Sequence, residues 1–576
     1  MRTQRTLILL VLVVLAAALP LFAAPMRPAH APHAMVASVH ELASRAGVEM
    51  MQAGGNAVDA AVATGFAMAV VHPQAGNLGG GGFMLIRMAG GQTRFIDFRE
   101  KAPAKATADM YLDAAGNVIP DASLVGYKAI GVPGSVAGLV FAEKKYGKLG
   151  LARVMAPAIH LAQAGFPLAW EDVQDLRDKD LAKFPESRRI FQRDGKYYQA
   201  GEVLRQPELA RTLQRIQQNP DDFYHGELAR ELASAIQQGG GLISADDLAS
   251  YEVKEREPVV GSYRGYEIIS APPPSSGGVA LMEILNILEG YDLKQYGNRS
   301  AESIHLISEA FRRAFFDRAE FMGDPDFAKV PVASLIDKKY GAAWRGSIDP
   351  DHSSISKDLK RPAIFTQLEQ YASAHPQPTV TREPENTTHF SVVDPAGNAV
   401  AVTTTLNDSF GSRVTASGLG FLLNDEMDDF ASKQGVPNIY GLIQGPANAI
   451  GPGKRPLSAM TPTIVLKNGK LFLVLGSPGG PTIITTVANI LISVIDYGDD
   501  IQHAVNAPRF HNQWIPDLIR MEDRISPDTV RLLKAKGHEV EVGDFWGDGE
   551  CIAIDLSTGE RLGASDGRNN GKAVGY

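Results

Sequence analysis

The amino-acid sequence predicts an α+β protein, and three observations lead there. Small apolar residues recur at helical spacing before residue 72, the stretch from about 136 to 320 is mostly helical, and strand–turn–strand patterns follow glycine-rich and proline-rich breaks. The first helical pattern runs from Ala37 to Val71, where Ser44, Ala46, Gly47, Met50 and Met51, then Ala57, Ala60, Ala61 and Ala63, sit about three and four apart. Side chains this small predict two closely packed helices. They end at His72-Pro73, and Gly79 to Gly82 lead into Phe83-Met84-Leu85-Ile86-Arg87, an apolar run of strand length. A phosphate cradle has the reverse order, a strand and then glycines opening onto a helix with a lysine. These glycines are therefore read as letting backbone pass close to backbone. Gly91-Gln92-Thr93 makes a turn, and Arg94 to Arg99 alternates as a second strand.

Three prolines, Pro272 to Pro274, hold an extended backbone, and Ser275-Ser276-Gly277-Gly278 can open a helix. The segment reads equally as the wall of a site or as a connector. Between Pro350 and Glu385 the composition shifts to Ser, Pro, Gln, Thr and His, which predicts an exposed, weakly structured stretch. Thr388 to Val393 then reads as a strand, Asp394 to Asn398 as a turn and Ala399 to Leu406 as a strand, so a hairpin starts where the loose stretch ends.

Bulk properties narrow the function. At 576 residues, length alone suggests about three or four domains, although large layered folds exceed that expectation. A net charge of −9 with no dense Lys/Arg run argues against nucleic acid as a partner. Arg2, Arg5, the apolar Leu7 to Leu19 and the small Ala23 and Ala24 form an export signal over residues 1–24. Its apolar core is shorter than the roughly 20 residues that span a bilayer, so a cleaved signal is favoured over an anchor. A soluble periplasmic or secreted protein is expected. The lone cysteine, Cys551, has no partner for an internal disulfide and reads as a small buried apolar residue.

The chemistry concentrates near residue 387. A threonine pair, Thr387-Thr388, stands at the junction of the loose stretch and a buried strand. A hydroxyl there can attack the preceding carbonyl and leave a new chain whose first residue carries both an α-amine, pKa roughly 7.7 to 8, and a nucleophilic oxygen. Gly476-Ser477-Pro478-Gly479-Gly480 follows the strand Leu471 to Leu475 and precedes Ile483 to Val487. Its glycine pair can aim two N–H groups at a developing oxyanion, each worth roughly 2.7 to 4 kcal/mol, or it is a plain strand-to-helix turn. Asn424 to Phe430 holds four acids, which usually lie on a solvated face but here could also grip an ammonium. A divalent cation is not expected, because the EF-hand spacing is missing and no His pair lies nearby.

Together these segments resemble the γ-glutamyltranspeptidase family nearly end to end. The likeness rests on Gly54 to Ala61, Asp97 to Glu100, Pro272 to Gly278, Thr387 to Asp394, Leu423 to Phe430, Arg455 to Ser458 and Gly476 to Gly480, in that order. It implies an N-terminal-nucleophile αββα sandwich whose precursor cuts itself into a large subunit, 25–386, and a small catalytic subunit, 387–576, that stay together as a heterodimer. It further implies Thr387 as nucleophile, Thr405 as its orienting hydroxyl, and Gly479 and Gly480 as the oxyanion hole. Arg99 and Ser458 would hold a substrate α-carboxylate, Asn407, Glu426 and Asp429 its α-ammonium, and Tyr440 would gate the site. No cofactor or metal is implied. The implied donors are glutathione and other γ-glutamyl compounds, and the implied acceptors are water, amino acids or peptides. Two positions depart from many relatives: Ala459 stands where a second serine is common, and Pro481-Thr482 where Ser-Arg often follows the glycines. A glutaryl or cephalosporin acylase and a non-catalytic exported binding protein remain as alternatives.

Overall fold

In the computed structural model, which describes residues 27–365 and 387–576, the small residues before position 72 form two helices, Glu41–Gln52 and Ala57–Val71. Gly47 is where they touch: a Cβ there would lie 2.4 Å from Thr64 Oγ1. Asn56 starts the second helix by accepting from the N–H groups of Val58 and Asp59, and Asp59 returns a bond to the Asn56 N–H. Residues 1–26, with the expected export signal, and residues 366–386, with Asn386, lie outside the described residues. What is described of the proline-rich stretch, 350–365, is mostly coil, pinned where Asp517 accepts the Ser356 N–H at 2.7 Å.

Two seven-stranded sheets carry the fold. One runs Lys572–Gly575, Met35–Ser38, Thr387–Val393, Ala399–Thr405, Gly81–Arg87, Thr93–Asp97 and Lys254–Arg256. The other runs Ala29–Ala31, Arg561–Ala564, Cys551–Ile554, Lys470–Leu475, Thr463–Lys467, Tyr266–Ser270 and Val259–Tyr263. Every pairing in both is antiparallel. Side chains alternate between faces, as the two-residue strand period requires. Phe83, Leu85, Ala399 and Ala401 meet Ile269, Ile464, Val474 and Ile552 between the sheets. Met84, Ile86, Val400 and Val402 face the opposite way and join the core formed with the two helices of 41–71. Behind the second sheet, Leu473, Leu475 and the fully buried Cys551 share a core with helices Gly277–Leu288, Ala301–Phe321 and Thr482–Ile492. Helices outside and sheets inside make the αββα sandwich.

Length alone pointed to several domains, but both sheets contain strands from either side of residue 387, so one layered core uses both. The glycines ahead of Phe83 do what close approach demands. A Cβ on Gly80 would lie 2.1 Å from Thr405 O, and one on Gly82 would lie 2.4 Å from Thr403 O. Strand Gly81–Arg87 thus sits tightly against Ala399–Thr405, the strand that faces Thr387. Val393 points between the sheets, so Thr387, His389 and Ser391, at even spacing along the same strand, point there too. No helix among the described residues is long and apolar enough to cross a membrane.

Candidate active site

Thr387 opens its strand with 8% of its surface exposed. Across the hairpin its Oγ1 lies 3.3 Å from Thr405 Oγ1, which accepts the Asn407 N–H at 2.9 Å. The chain turns there with a φ of +82° at Asn407, a region that asparagine tolerates better than most residues. His389, although two residues away, is a core group: Nδ1 is 2.8 Å from Thr403 Oγ1, Nε2 is 3.1 Å from Ser391 Oγ, and burial drives its pKa down to about 3.

Gly479 and Gly480 leave strand Lys470–Leu475 and enter helix Thr482–Ile492 at φ values of +126° and +52°. Their carbonyls are tied to the helix start, because Gly479 O accepts from Thr482 N–H (3.0 Å) and Oγ–H (2.7 Å), and Gly480 O from Ile483 N–H (3.2 Å). Neither glycine N–H donates to another described residue. Pro481 explains one of the two departures: at φ −64° it is preset for the helix and brings no N–H of its own.

A pocket of about 310 Å³ gathers the predicted residues. Arg99, Thr387, Thr405, Asn407, Glu426, Asp429, Tyr440, Ser458 and Gly480 all line it, together with Ala459 and Arg318, whereas Gly479, the residue before Gly480, is not part of the lining. Of the two readings left open for the acid run, the solvated face is not what the structure has, since Asp425, Glu426 and Asp428 are buried. Asp425 accepts the Asp408 N–H at 2.9 Å and Asp428 the Ser123 Oγ–H at 2.7 Å, and the burial of Glu426 is made tolerable by Arg99, itself 1% exposed. Its Nη1 lies 2.5 Å from Glu426 Oε1, its Nη2 pairs with Asp429, and its Nε–H donates to Pro456 O at 3.2 Å. Burial pushes the Glu426 carboxyl well above its ordinary range and Asp428 up to about 7; Arg99 opposes the shift at Glu426.

The proline-rich segment proves to be a wall. Ser276 donates from N–H and Oγ–H to Ser458 O at 2.8 and 2.7 Å, and Ser458 N–H returns a bond to Pro274 O at 2.9 Å. Ser458 is thereby fixed at the pocket. Tyr440, 3% exposed, closes the other side: its hydroxyl donates to Asn407 O (2.9 Å) or Oδ1 (3.0 Å), and a Cβ on Gly480 would lie 2.8 Å from its ring. Elsewhere His305, Glu309 and His538 offer ligand atoms within 4.8 Å of one another. Within the cluster His305 Nδ1 lies 2.7 Å from His538 Nε2 and Glu309 is held by Arg312 and Arg313, while His538 Nδ1 is buried without a hydrogen-bond partner among the described residues.

The gamma-glutamyltranspeptidase family model matches residues 43–576. The chain belongs to the γ-glutamyltranspeptidase family. Its relatives include the glutathione hydrolase proenzyme of Escherichia coli (strain K12), 48% identical over 547 residues that cover 94% of this chain and 91% of that protein. Among solved structures, a cephalosporin acylase from Bacillus halodurans aligns at TM-score 0.80 and 26% identity, over 96% of this chain and 98% of that one. A Helicobacter pylori gamma-glutamyltranspeptidase aligns at TM-score 0.56 and 46% identity, over 57% of this chain and 95% of that one.

Sequence reasoning missed one charged residue in the pocket of this γ-glutamyltranspeptidase relative. Arg318 donates from Nε–H to Ser276 Oγ at 2.9 Å, while its Nη1 is buried without a hydrogen-bond partner among the described residues. Burial lowers its pKa to about 10. A signal existed: helix Ala301–Phe321 places Glu309, Arg312, Arg313, Asp317 and Arg318 on a buried segment, and acids and arginines three or four apart can neutralise one another inside a fold.

Proposed function

We propose that this chain is a γ-glutamyltranspeptidase and glutathione hydrolase, exported as a precursor that cuts itself between Asn386 and Thr387. The observation that carries the reading is one pocket lined by Thr387, Gly480 and charged groups of both signs, with the N–H groups of Gly479 and Gly480 donating to no other described residue. In maturation, Thr387 Oγ attacks the Asn386 carbonyl, the C–N bond breaks to an ester, and water releases a chain that begins at Thr387. The large (25–386) and small (387–576) subunits stay paired because both sheets are built from strands of both. A solved family chain aligned over 95% of its length to only 57% of this one supports a mature protein made of pieces.

In turnover the new α-amine takes the Oγ proton, and Oγ attacks the γ-amide carbon of a γ-glutamyl donor such as glutathione. The Gly479 and Gly480 N–H groups receive the oxyanion, and the departing amine takes the proton. Thr405 orients the nucleophile. Water or an amino acid or peptide acceptor then resolves the ester, with no cofactor. Arg99 and Ser458 hold the donor α-carboxylate; Asn407, Glu426 and Asp429 hold its α-ammonium; Tyr440 covers the site.

A second reading, an acylase with a different donor, is favoured by the cephalosporin acylase neighbour and by Ala459, which presents a methyl beside Ser458. Release of nitroaniline from γ-glutamyl and glutaryl anilides decides between them. The first reading expects γ-glutamyl release to be faster, and faster glutaryl release would reject it. Ala459→Ser adds a hydroxyl at the carboxylate and should lower the γ-glutamyl donor KM about tenfold, the low end of one charge-assisted hydrogen bond. An unchanged KM would remove Ala459 from the donor site.

A further inference from the structure

Thr387 lines two cavities and is the one residue common to both linings: the small charged pocket, and an outer cavity of about 1650 Å³. The outer wall is acidic. Glu171, Asp172 and Asp175 come from one short helix, Trp170–Asp175, and Asp548 and Glu41 join them. Arg45 is the one lysine or arginine among the described lining residues, and it is paired with Glu41 at 2.5 Å. Burial holds both histidines of the wall below their ordinary pKa, so they add no cation near neutral pH. Asp548 is 1% exposed, yet its Oδ1 has no hydrogen-bond partner among the described residues. An acceptor so placed is open to a donor from a ligand. Desolvation pushes Asp548 up to about 7 and Asp175 up to about 6, so near neutral pH Asp175 carries the fuller charge of the two.

We propose that the outer cavity takes the amine side of the reaction and that its acid wall selects amines bearing a second positive charge, such as diamines and amides of basic amino acids, over amines that carry a carboxylate. This rests on the reading of Thr387 as the acylated nucleophile. With the acyl group held in the inner pocket, an amine reaches the ester carbon from the outer side. Its nitrogen forms the new C–N bond, the C–Oγ bond to Thr387 breaks, and the proton lost from nitrogen passes through the Thr387 α-amine to Oγ. The second, protonated nitrogen remains among the carboxylates, where attraction is felt over several ångströms and weakens with salt.

The test uses the matured enzyme with γ-glutamyl-p-nitroanilide as donor and diaminobutane, lysinamide, glycylglycine or glutamate as acceptor, reading each γ-glutamyl product by mass spectrometry. Diaminobutane should be preferred to glutamate about tenfold or more at low salt, with the preference shrinking at high salt. Asp175 is exposed at the wall, which makes it the position to substitute. Asp175→Asn should cut the diaminobutane-to-glutamate ratio about threefold, and Asp175→Lys about tenfold or more. A parent ratio near one, or a ratio unmoved in Asp175→Lys while nitroaniline is still released, overturns the inference and leaves the acyl-enzyme reading standing. No nitroaniline release from the parent overturns both.

Discussion

Thr387→Ala should remain one uncut chain near 59 kDa after signal removal, where the parent yields pieces of about 39 and 20 kDa in proportion to 61.8 kDa over 576 residues. Release of nitroaniline from a γ-glutamyl anilide should fall by roughly 10⁶-fold, the scale seen when an acyl-transfer enzyme loses its nucleophile. Both losses have one origin. In the proposed mechanism the same oxygen, 3.3 Å from Thr405 Oγ1, attacks first its own chain and later the substrate. Thr387→Ser separates this cause from misfolding: it keeps the hydroxyl and, once cut, an α-amine, so it should mature and turn over more slowly. A denaturing gel and the anilide assay read both variants. An alanine variant that still cuts itself, or a parent that stays intact while active, would remove Thr387 from its role and revive the non-catalytic alternative.

Much of this site was legible because its residues break local rules in the sequence. Four glycines before a strand, a threonine pair after a loose stretch and a glycine pair after a strand each mark a backbone constraint or a reactive group. The structure supplies the constraint at Gly80 and Gly82, and at Gly479 and Gly480, whose φ values favour glycine. What was not legible depended on distant segments meeting. Burial of Glu426 follows from Arg99, more than 300 residues earlier, and no local pattern announces that contact. The even choice between wall and connector for Pro272 to Gly278 was decided by hydrogen bonds to Ser458, again across the chain. Arg318 shows the same limit. Its charge spacing suggested a mixed-sign helix, but only the fold tells which of those charges reaches a pocket.

Arg99→Met should cost about 3–5 kcal/mol of stability near neutral pH, because it leaves Glu426 and Asp429 without their buried counter-ion. The pH dependence has a definite sign. Burial already raises the Glu426 pKa and Arg99 pulls it down, so removing Arg99 raises it further. A group whose folded pKa exceeds its unfolded value penalises the folded state increasingly as pH climbs from the unfolded pKa, 4.5 for Glu426, through the folded one. The gap in melting temperature between parent and variant should therefore widen from mildly acidic to neutral pH and narrow in acid. Activity should fall too, with γ-glutamyl donor kcat/KM dropping roughly 100-fold for two charge-assisted hydrogen bonds lost. Stability and activity part company in the double variant Arg99→Met with Glu426→Gln. Neutralising one of the stranded acids should restore much of the melting temperature, yet kcat/KM should stay low because the donor carboxylate still lacks its guanidinium. If the double variant regained both, Arg99 would be a counter-ion for a buried acid pair and nothing more, and recognition of the carboxylate would have to pass to Arg318 and Ser458.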